Sequence, residues 1–329
     1  MSSLRVFHSA DCDRTVLSGK RIGVIGYGSQ GRAFALNLRD SKCAVTVHLR
    51  EGSKSRTLAA SEGLQVADLS SAAACDIVIM AIPDHEQPAF FEKYLRSASR
   101  PQTIVLLHGS NFHFKNIAFR TSDDVALVAP HGPGRDLREN YLSGTGLSCF
   151  IAVGQDASGH AQTTALAIAD AIGAGTAGIY ETTFAAETIG DLFGEQTLLV
   201  GGLAGLTDAV FRTMVDRGLA PENAYLETIK QLKLLAAMIE AHGPAGMIAR
   251  VSKTAGYGSL LAMPSLFDDV FMKRLEAIYY AIESGQFNQL LRDEAAAGFT
   301  TYQQLLDIVS HRASQQIVDQ FHRKEGADE

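Results

Sequence analysis

Asp191 and Glu195 stand four residues apart in Asp191-Leu192-Phe193-Gly194-Glu195-Gln196, and the apolar run Leu198-Leu199-Val200 follows at once. On a helix, positions i and i+4 share a face. Carboxylates on a helix flank that goes on to be buried are costly unless something neutralises them. A hard divalent cation such as Mg²⁺ does so, because it takes a few carboxylate oxygens together with water and substrate. The competing reading is a solvated helix face without chemistry. Glu227 and Gln231 repeat the spacing further on, with a carboxamide in the second place.

Another set of residues points to a dinucleotide. Arg21-Ile22-Gly23-Val24-Ile25 is a β-branched run, Gly26-Tyr27-Gly28-Ser29-Gln30-Gly31 follows, and then apolar residues recur at helical spacing. This is G-x-G-x-x-G between a strand and a helix. Gly26 permits the tight turn, Gly28 lets a pyrophosphate approach the backbone, and Gly31 permits close helix packing. The helix N-terminus then faces the phosphates. The next strand, residues 44–49, ends in Arg50 where an NAD-binding fold usually places an acid. With Ser53 and Ser55, Arg50 suits a 2′-phosphate through charge-assisted hydrogen bonds, so NADPH is expected over NADH. Glu51 is the counterweight, since an inward carboxylate would repel that phosphate.

These groups need a frame. Strand-like runs continue at residues 76–83, 103–107, 125–130 and 149–153, with helical or polar stretches between them. Such alternation implies an α/β unit with a parallel, doubly wound sheet, whose ligands sit beyond the strand C-termini. Pro83-Asp84, His108-Gly109-Ser110-Asn111 and Pro130-His131-Gly132-Pro133-Gly134-Arg135 all fall at those ends. From about Thr183 the period becomes helical. Residues 184–217 read as one or two helices, broken or packed closely around Gly201 and Gly202, residues 222–241 as one long amphipathic helix, and residues 252–258 as a polar break. Residues 275–282, 286–292 and 302–321 are further helices, and the charged tail from His322 is expected to fray. Two domains follow, 1–183 and 184–329.

The bulk numbers fit this division. A chain of 329 residues exceeds what one core usually holds. Hydrophobic content is 46%, charged content 20% and net charge −7, with no basic tract, which argues against nucleic acid as a partner. Cys12, Cys43, Cys75 and Cys149 are scattered and read as reduced thiols of a cytoplasmic protein. No signal-peptide core is evident near the start, and no apolar run reads as a membrane span.

These residues, in this order, resemble ketol-acid reductoisomerase in its short-chain form. The resemblance runs through residues 26–31, 49–55 and 108–114, Gly132-Pro133-Gly134, the Asp191 to Gln196 motif, Ala224-Tyr225-Leu226-Glu227, Leu232-Lys233-Leu234 and Tyr257-Gly258. It implies an NADPH-binding Rossmann domain, with Pro83, Asp84 and Gly134 among the residues at the cofactor. It also implies a knotted, all-helical second domain and a homodimer whose active sites draw helices from two subunits. The implied reaction is an Mg²⁺-promoted alkyl shift in a 2-hydroxy-2-alkyl-3-oxo acid, followed by reduction with NADPH. On this chain Asp191 corresponds to the carboxylate bridging two ions, Glu195 to a ligand of the first, and Glu227 to a ligand of the second from the partner subunit. His108 corresponds to the histidine near the nicotinamide and Ser252 to the serine that holds the substrate carboxylate.

The chain departs from the family where chemistry is expected. The fourth acid is Gln231, the lysine before Gly-Pro-Gly is His131, the histidine after it is Arg135, and the glutamate before Tyr257 is Gly256. Three carboxylates face two divalent ions instead of four, so one ion is expected to bind well and the second to be weakened. His131 titrates near neutrality, where a lysine stays charged. Gly256 removes bulk and charge, which would admit a different substrate side chain. The reading that follows is an NADPH-dependent reductase of a small 2-oxo acid or related imine, with the isomerase step lost or weakened. The alternatives are a working reductoisomerase of branched-chain amino-acid synthesis, with water or Glu187 completing the second ion's shell, and a non-catalytic NADP-binding partner subunit.

Overall fold

The computed structural model describes residues 3–325. Among them the chain divides into two compact units, Met1–Gly190 and Asp191–Glu329. The division falls inside the helix Phe184–Gly194.

The first unit is built on a nine-stranded sheet. Its strands are β1 (Val6–Phe7), β2 (Arg21–Ile25), β3 (Ala44–Leu49), β4 (Gln65–Asp68), β5 (Ile77–Met80), β6 (Thr103–Leu106), β7 (Asp124–Pro130), β8 (Cys149–Gln155) and β9 (Ile179–Glu181). They lie in the order β1-β9-β8-β7-β6-β5-β2-β3-β4. The six strands from β4 to β7 are parallel, and the order reverses between β2 and β5. That reversal opens a crevice at the strand C-termini. Two pairings correct the all-parallel expectation. β8 runs antiparallel to β7, and β1 runs antiparallel to β9. The helix Gly134–Ser143 and its short exit loop bring the chain back to the end where β7 finished, so Cys149 pairs with Pro130.

Helices cover both faces, as strands buried on both sides require. One core centres on Phe34, Leu38, Val47 and Ile168; the other on Phe90, Phe91, Leu106 and Phe184.

The second unit is helical throughout its described residues. Its first stretch holds an irregularity. Glu195–Leu199 forms a π-helical turn, in which Val200 donates to the Glu195 carbonyl at 3.0 Å. The helix Gly201–Asp216 follows. The wide turn explains the glycine pair. A Cβ on Gly201 would lie 2.3 Å from the Gln196 carbonyl oxygen, and one on Gly202 would lie 2.0 Å from that of Thr197. The run Phe184–Asp216, 33 residues, is also long and apolar enough to cross a membrane by length and composition, which the sequence reading did not register.

Residues 222–241 are not one helix. Pro221–Glu227 ends at Thr228, whose φ of −125° and ψ of −86° are not helical, and Leu232–Ile248 begins after a 3₁₀ turn. The expected polar break is narrower than residues 252–258, because the helix Lys253–Leu266 starts there. Residues 302–321 divide into Thr300–Ser310 and Ala313–Glu325. His322 and Arg323 are helical rather than frayed; the rest of the tail after Glu325 lies outside the described residues.

A small cluster of Phe211, Ala224, Tyr225 and Ile317 forms this unit's buried core, with Tyr225 stacked on Phe321 at 4.3 Å. Beside it, Asp208 accepts hydrogen bonds from Arg312 at 2.7 Å and Ser314 at 2.6 Å, joining Gly201–Asp216 to Ala313–Glu325. Much apolar surface stays outside. Leu198, Leu199, Val200, Leu234, Leu261 and Leu290 are each at least 60% exposed.

Candidate active site

The crevice at the sheet reversal holds the dinucleotide turn. β2 runs into Gly26, whose φ is +96° and where a Cβ would lie 2.8 Å from the Ala81 carbonyl oxygen. Only glycine satisfies both conditions. Gly31 is equally constrained, since its Cβ would meet the Gly26 oxygen at 2.6 Å. Gly28 has open space above it and precedes the helix Ser29–Asp40. Gln30 Nε2 donates to the Gly132 carbonyl at 2.7 Å, and Gly134 packs against the Ser29 backbone, so the 132–134 loop is fixed to the turn.

A cleft of about 630 Å³ brings Gly26, Tyr27 and Gly28 together with Arg50, Ser53, Ser55 and Pro83. Glu51 is exposed and does not line it. Tyr27 is buried, and its hydroxyl donates to Glu62 Oε2 at 2.7 Å. Burial, with that bond, pushes the Tyr27 hydroxyl far above its ordinary value.

Next to this cleft in the sheet, the ends of β5 and β6 hold a polar network. His108 Nδ1 lies 3.1 Å from both Asp84 Oδ2 and Ser110 Oγ. Gln87 Nε2 donates to Asp84 Oδ1 at 2.9 Å. Asn111 Nδ2 donates to the Asp84 carbonyl and to Gln87 Oε1, each at 2.9 Å. The imidazole is therefore oriented by a carboxylate that is itself held in place. Gln87 was not singled out from the sequence, and the pairing of Asn111 with it was not readable, since only the sheet brings the two strand ends side by side.

Glu187 is buried, and its Oε2 accepts the Gly109 N–H at 2.8 Å, so its carboxylate is engaged with the loop after His108. His131 stands at the end of β7, with Nδ1 2.9 Å from Ser148 Oγ and its ring edge against Phe150 at 4.2 Å. Arg135 pairs with Glu139 at 2.7 Å.

The remaining expected site residues belong to the second unit. Asp191 lies in the last turns of Phe184–Gly194, and Glu195 opens the π-helical turn. Both are exposed in the single chain, and so are Leu198, Leu199 and Val200. Glu227 and Gln231 sit on either side of the break at Thr228 rather than on one helix face. They still meet, with Gln231 Nε2 3.3 Å from Glu227 Oε2 and 2.9 Å from the Leu226 carbonyl. Ser252 caps the helix Lys253–Leu266, its Oγ accepting the Ala255 N–H at 3.2 Å. Gly256 is buried, and a Cβ there would lie 3.2 Å from the Ile248 carbonyl oxygen. Ile248 and Val251 thus take up the space that the glycine was expected to open. Among the described residues no three of His, Cys, Asp or Glu converge on a common point.

Two family models cover nearly the whole chain. The NADPH-binding domain of acetohydroxy acid isomeroreductase matches residues 16–178, and the C-terminal domain of ketol-acid reductoisomerase matches residues 184–323. The chain belongs to the ketol-acid reductoisomerase family. It is accordingly an NADP-dependent oxidoreductase, with a Rossmann-like sheet unit and a mostly helical second unit. The ketol-acid reductoisomerase (NADP(+)) of Pyrobaculum arsenaticum is 42% identical over 321 residues, spanning 97% of this chain and 98% of that one. That of Pyrobaculum neutrophilum is 41% identical over 95% and 96% of the two chains. A solved NADH-preferring ketol-acid reductoisomerase from an uncultured archean superimposes with a TM-score of 0.93 at 31% identity, covering 97% of this chain and 99% of that one.

Proposed function

We propose that this member of the family reduces a small 2-oxo acid, or a related imine, with NADPH, and that its isomerase step is weakened. The observation that carries this reading is the hydrogen bond from the Gln231 amide to the Glu227 carboxylate. A carboxamide whose N–H is spent on that carboxylate can offer a cation an oxygen but no charge. The pair carries one negative charge instead of two, and charge count tunes the affinity of a site for a hard cation. Asp191 and Glu195 keep two exposed carboxylates at i and i+4, a donor set that fits one Mg²⁺. When bound, NADPH supplies the hydride and Mg²⁺ polarises the substrate oxygen.

The residues of the chain bind and orient. Arg50, Ser53 and Ser55 hold the 2′-phosphate. The turn from Gly26 through Tyr27, Gly28, Ser29 and Gln30 to Gly31 holds the pyrophosphate, with Gly134 closing beside it. Asp84 keeps His108 in one orientation near Pro83. Ser252, His131 and Gln231 contact the substrate, and Glu227 reaches the metal of a partner subunit. The exposed leucines of the second unit support a homodimer, because apolar side chains left uncovered in such number suit an interface.

The test is an assay of acetolactate against a panel of 2-oxo acids and imines with NADPH and Mg²⁺. The best 2-oxo acid or imine is expected to turn over about a hundredfold faster than acetolactate, as loss of about 3 kcal/mol from one step requires. Gln231→Glu is expected to lower the half-saturating Mg²⁺ concentration about tenfold. Rapid acetolactate turnover by the unaltered chain would overturn the proposal. That result would favour a second reading, a complete reductoisomerase of branched-chain amino-acid synthesis, which the 42% identity to chains of that name supports.

A further inference from the structure

We infer that Glu62 is a positioning residue for cofactor choice, fixing the 50–55 loop and the helix after it against the dinucleotide turn. The inference rests on the reading above that Arg50, Ser53 and Ser55 hold a 2′-phosphate.

Glu62 closes the helix Ser55–Ser61 at its C-terminal end. Its Oε2 accepts from Tyr27 Oη at 2.7 Å and Arg32 Nε at 3.0 Å, and Arg32 Nη2 bonds Oε1. Its carbonyl accepts from Arg39 Nη1. Tyr27 belongs to the turn that lines the cleft, and both arginines belong to Ser29–Asp40. One residue thus ties the end of the phosphate-side helix to the turn and to the helix whose N-terminus faces the crevice. Arg32's hydrogen bonds also hold the Glu62 carboxyl below its usual range, so it is ionised at neutral pH.

The other end of the segment is anchored separately. Arg56 Nη1 donates to the Leu49 carbonyl at 2.9 Å and to Asp68 Oδ1 at 3.0 Å. Between these anchors, two turn bonds hold the loop backbone, from Ser53 N to the Arg50 carbonyl at 3.2 Å and from Arg56 N to the Ser53 carbonyl at 3.1 Å. Donors that must converge on one phosphate gain affinity from being held in place beforehand. Removing the Glu62 carboxylate leaves Tyr27 and Arg32 without this acceptor and frees one end of the segment. Both cofactors share the pyrophosphate turn, so the part of the cost that separates them falls on the 2′-phosphate, which NADH lacks.

The experiment measures NADPH and NADH dissociation constants on the full-length protein for Glu62→Ala, Glu62→Gln, Tyr27→Phe and Arg50→Ala. Glu62→Ala is expected to weaken NADPH about tenfold and NADH less than about twofold, with kcat at saturating NADPH unchanged within about twofold. Glu62→Gln, which keeps one acceptor oxygen, is expected to fall between it and the unaltered chain. Tyr27→Phe, which removes a single hydrogen bond, is expected to weaken NADPH about threefold and serves if Glu62→Ala does not fold. Equal weakening of both cofactors, or an unchanged ratio, in the Glu62 and Tyr27 variants while Arg50→Ala lowers the preference for NADPH sinks this inference alone. An unchanged ratio in Arg50→Ala sinks the 2′-phosphate reading and this inference with it.

Discussion

The two units solve the problem of burial differently. In the first, both faces of the sheet are covered by its own helices, and the middle strands β5, β6 and β7 carry runs of fully buried side chains. In the second, one small cluster around Phe211 and Tyr225 is closed, while leucines on several helices face outward. Burying one such side chain is worth about 1.5–3 kcal/mol. Covering such leucines against a second surface, as the proposed homodimer would, adds stability of that order per side chain. Nucleotide recognition is thus housed in the unit with the larger closed core, and the acids that suit a metal sit in the unit with many exposed leucines.

That contrast can be broken at several points. The largest expected effect is on the acids. Asp191→Asn or Glu195→Gln should lower Mg²⁺-dependent turnover by a hundredfold or more, while NADPH affinity, measured by fluorescence titration, stays within about twofold. A parallel loss of NADPH binding would show that the units are not separable in this way. Next comes the apolar surface. Leu261→Asp should shift the protein from dimer to monomer in sedimentation and cost about 3 kcal/mol in denaturant unfolding, whereas Leu142→Asp, equally exposed on the first unit, should be neutral. Neutral behaviour of both would remove the case for a covered face.

The smallest effect concerns Asp208, the polar link inside the second unit. Burial pushes its carboxyl up, but the Ser314 hydroxyl and the Arg312 and Arg212 guanidiniums outweigh this and leave it below the usual range. Its contribution to stability is therefore present above the unfolded carboxyl value and is lost as pH falls through the folded one. Asp208→Asn should cost about 2 kcal/mol at pH 7 and flatten the stability profile of this unit at acid pH. An unchanged acid limb in chemical unfolding would show that other carboxylates govern it.

Much of the first unit was legible because its strands are continuous apolar runs, and residues 21–25, 44–49, 103–107 and 125–130 read as strands for that reason. β4 was missed because Gln65, Val66, Ala67 and Asp68 are at most partly buried, and β1 and β9 are too short to show a period. The reversal of β8 was not readable, since an apolar run carries no direction and only the return loop decides it. In the second unit, the helices and the interruption near Gly201 were legible, but not the break at Thr228. Thr228 leaves the helical region without a proline or glycine to announce it. For the site, the spacing of Gly26, Gly28, Gly31 and Arg50 was informative because each position answers to one backbone or charge requirement. The Asp84, Gln87, His108 and Asn111 network was not, because its members come from two strands that only the sheet makes neighbours.

The wide turn at Glu195–Leu199 also bears on how chains of this kind can change over generations. It holds one residue more than an ordinary turn, so everything beyond Gly201 is swung by about 100°. Losing that residue would carry Asp208 away from Arg312 and Ser314, and Phe211 away from Tyr225, in a single event. Adding side chains at positions 201 and 202 is barred while the turn persists. The length of this turn and its two glycines are therefore coupled: a change in one requires a change in the other.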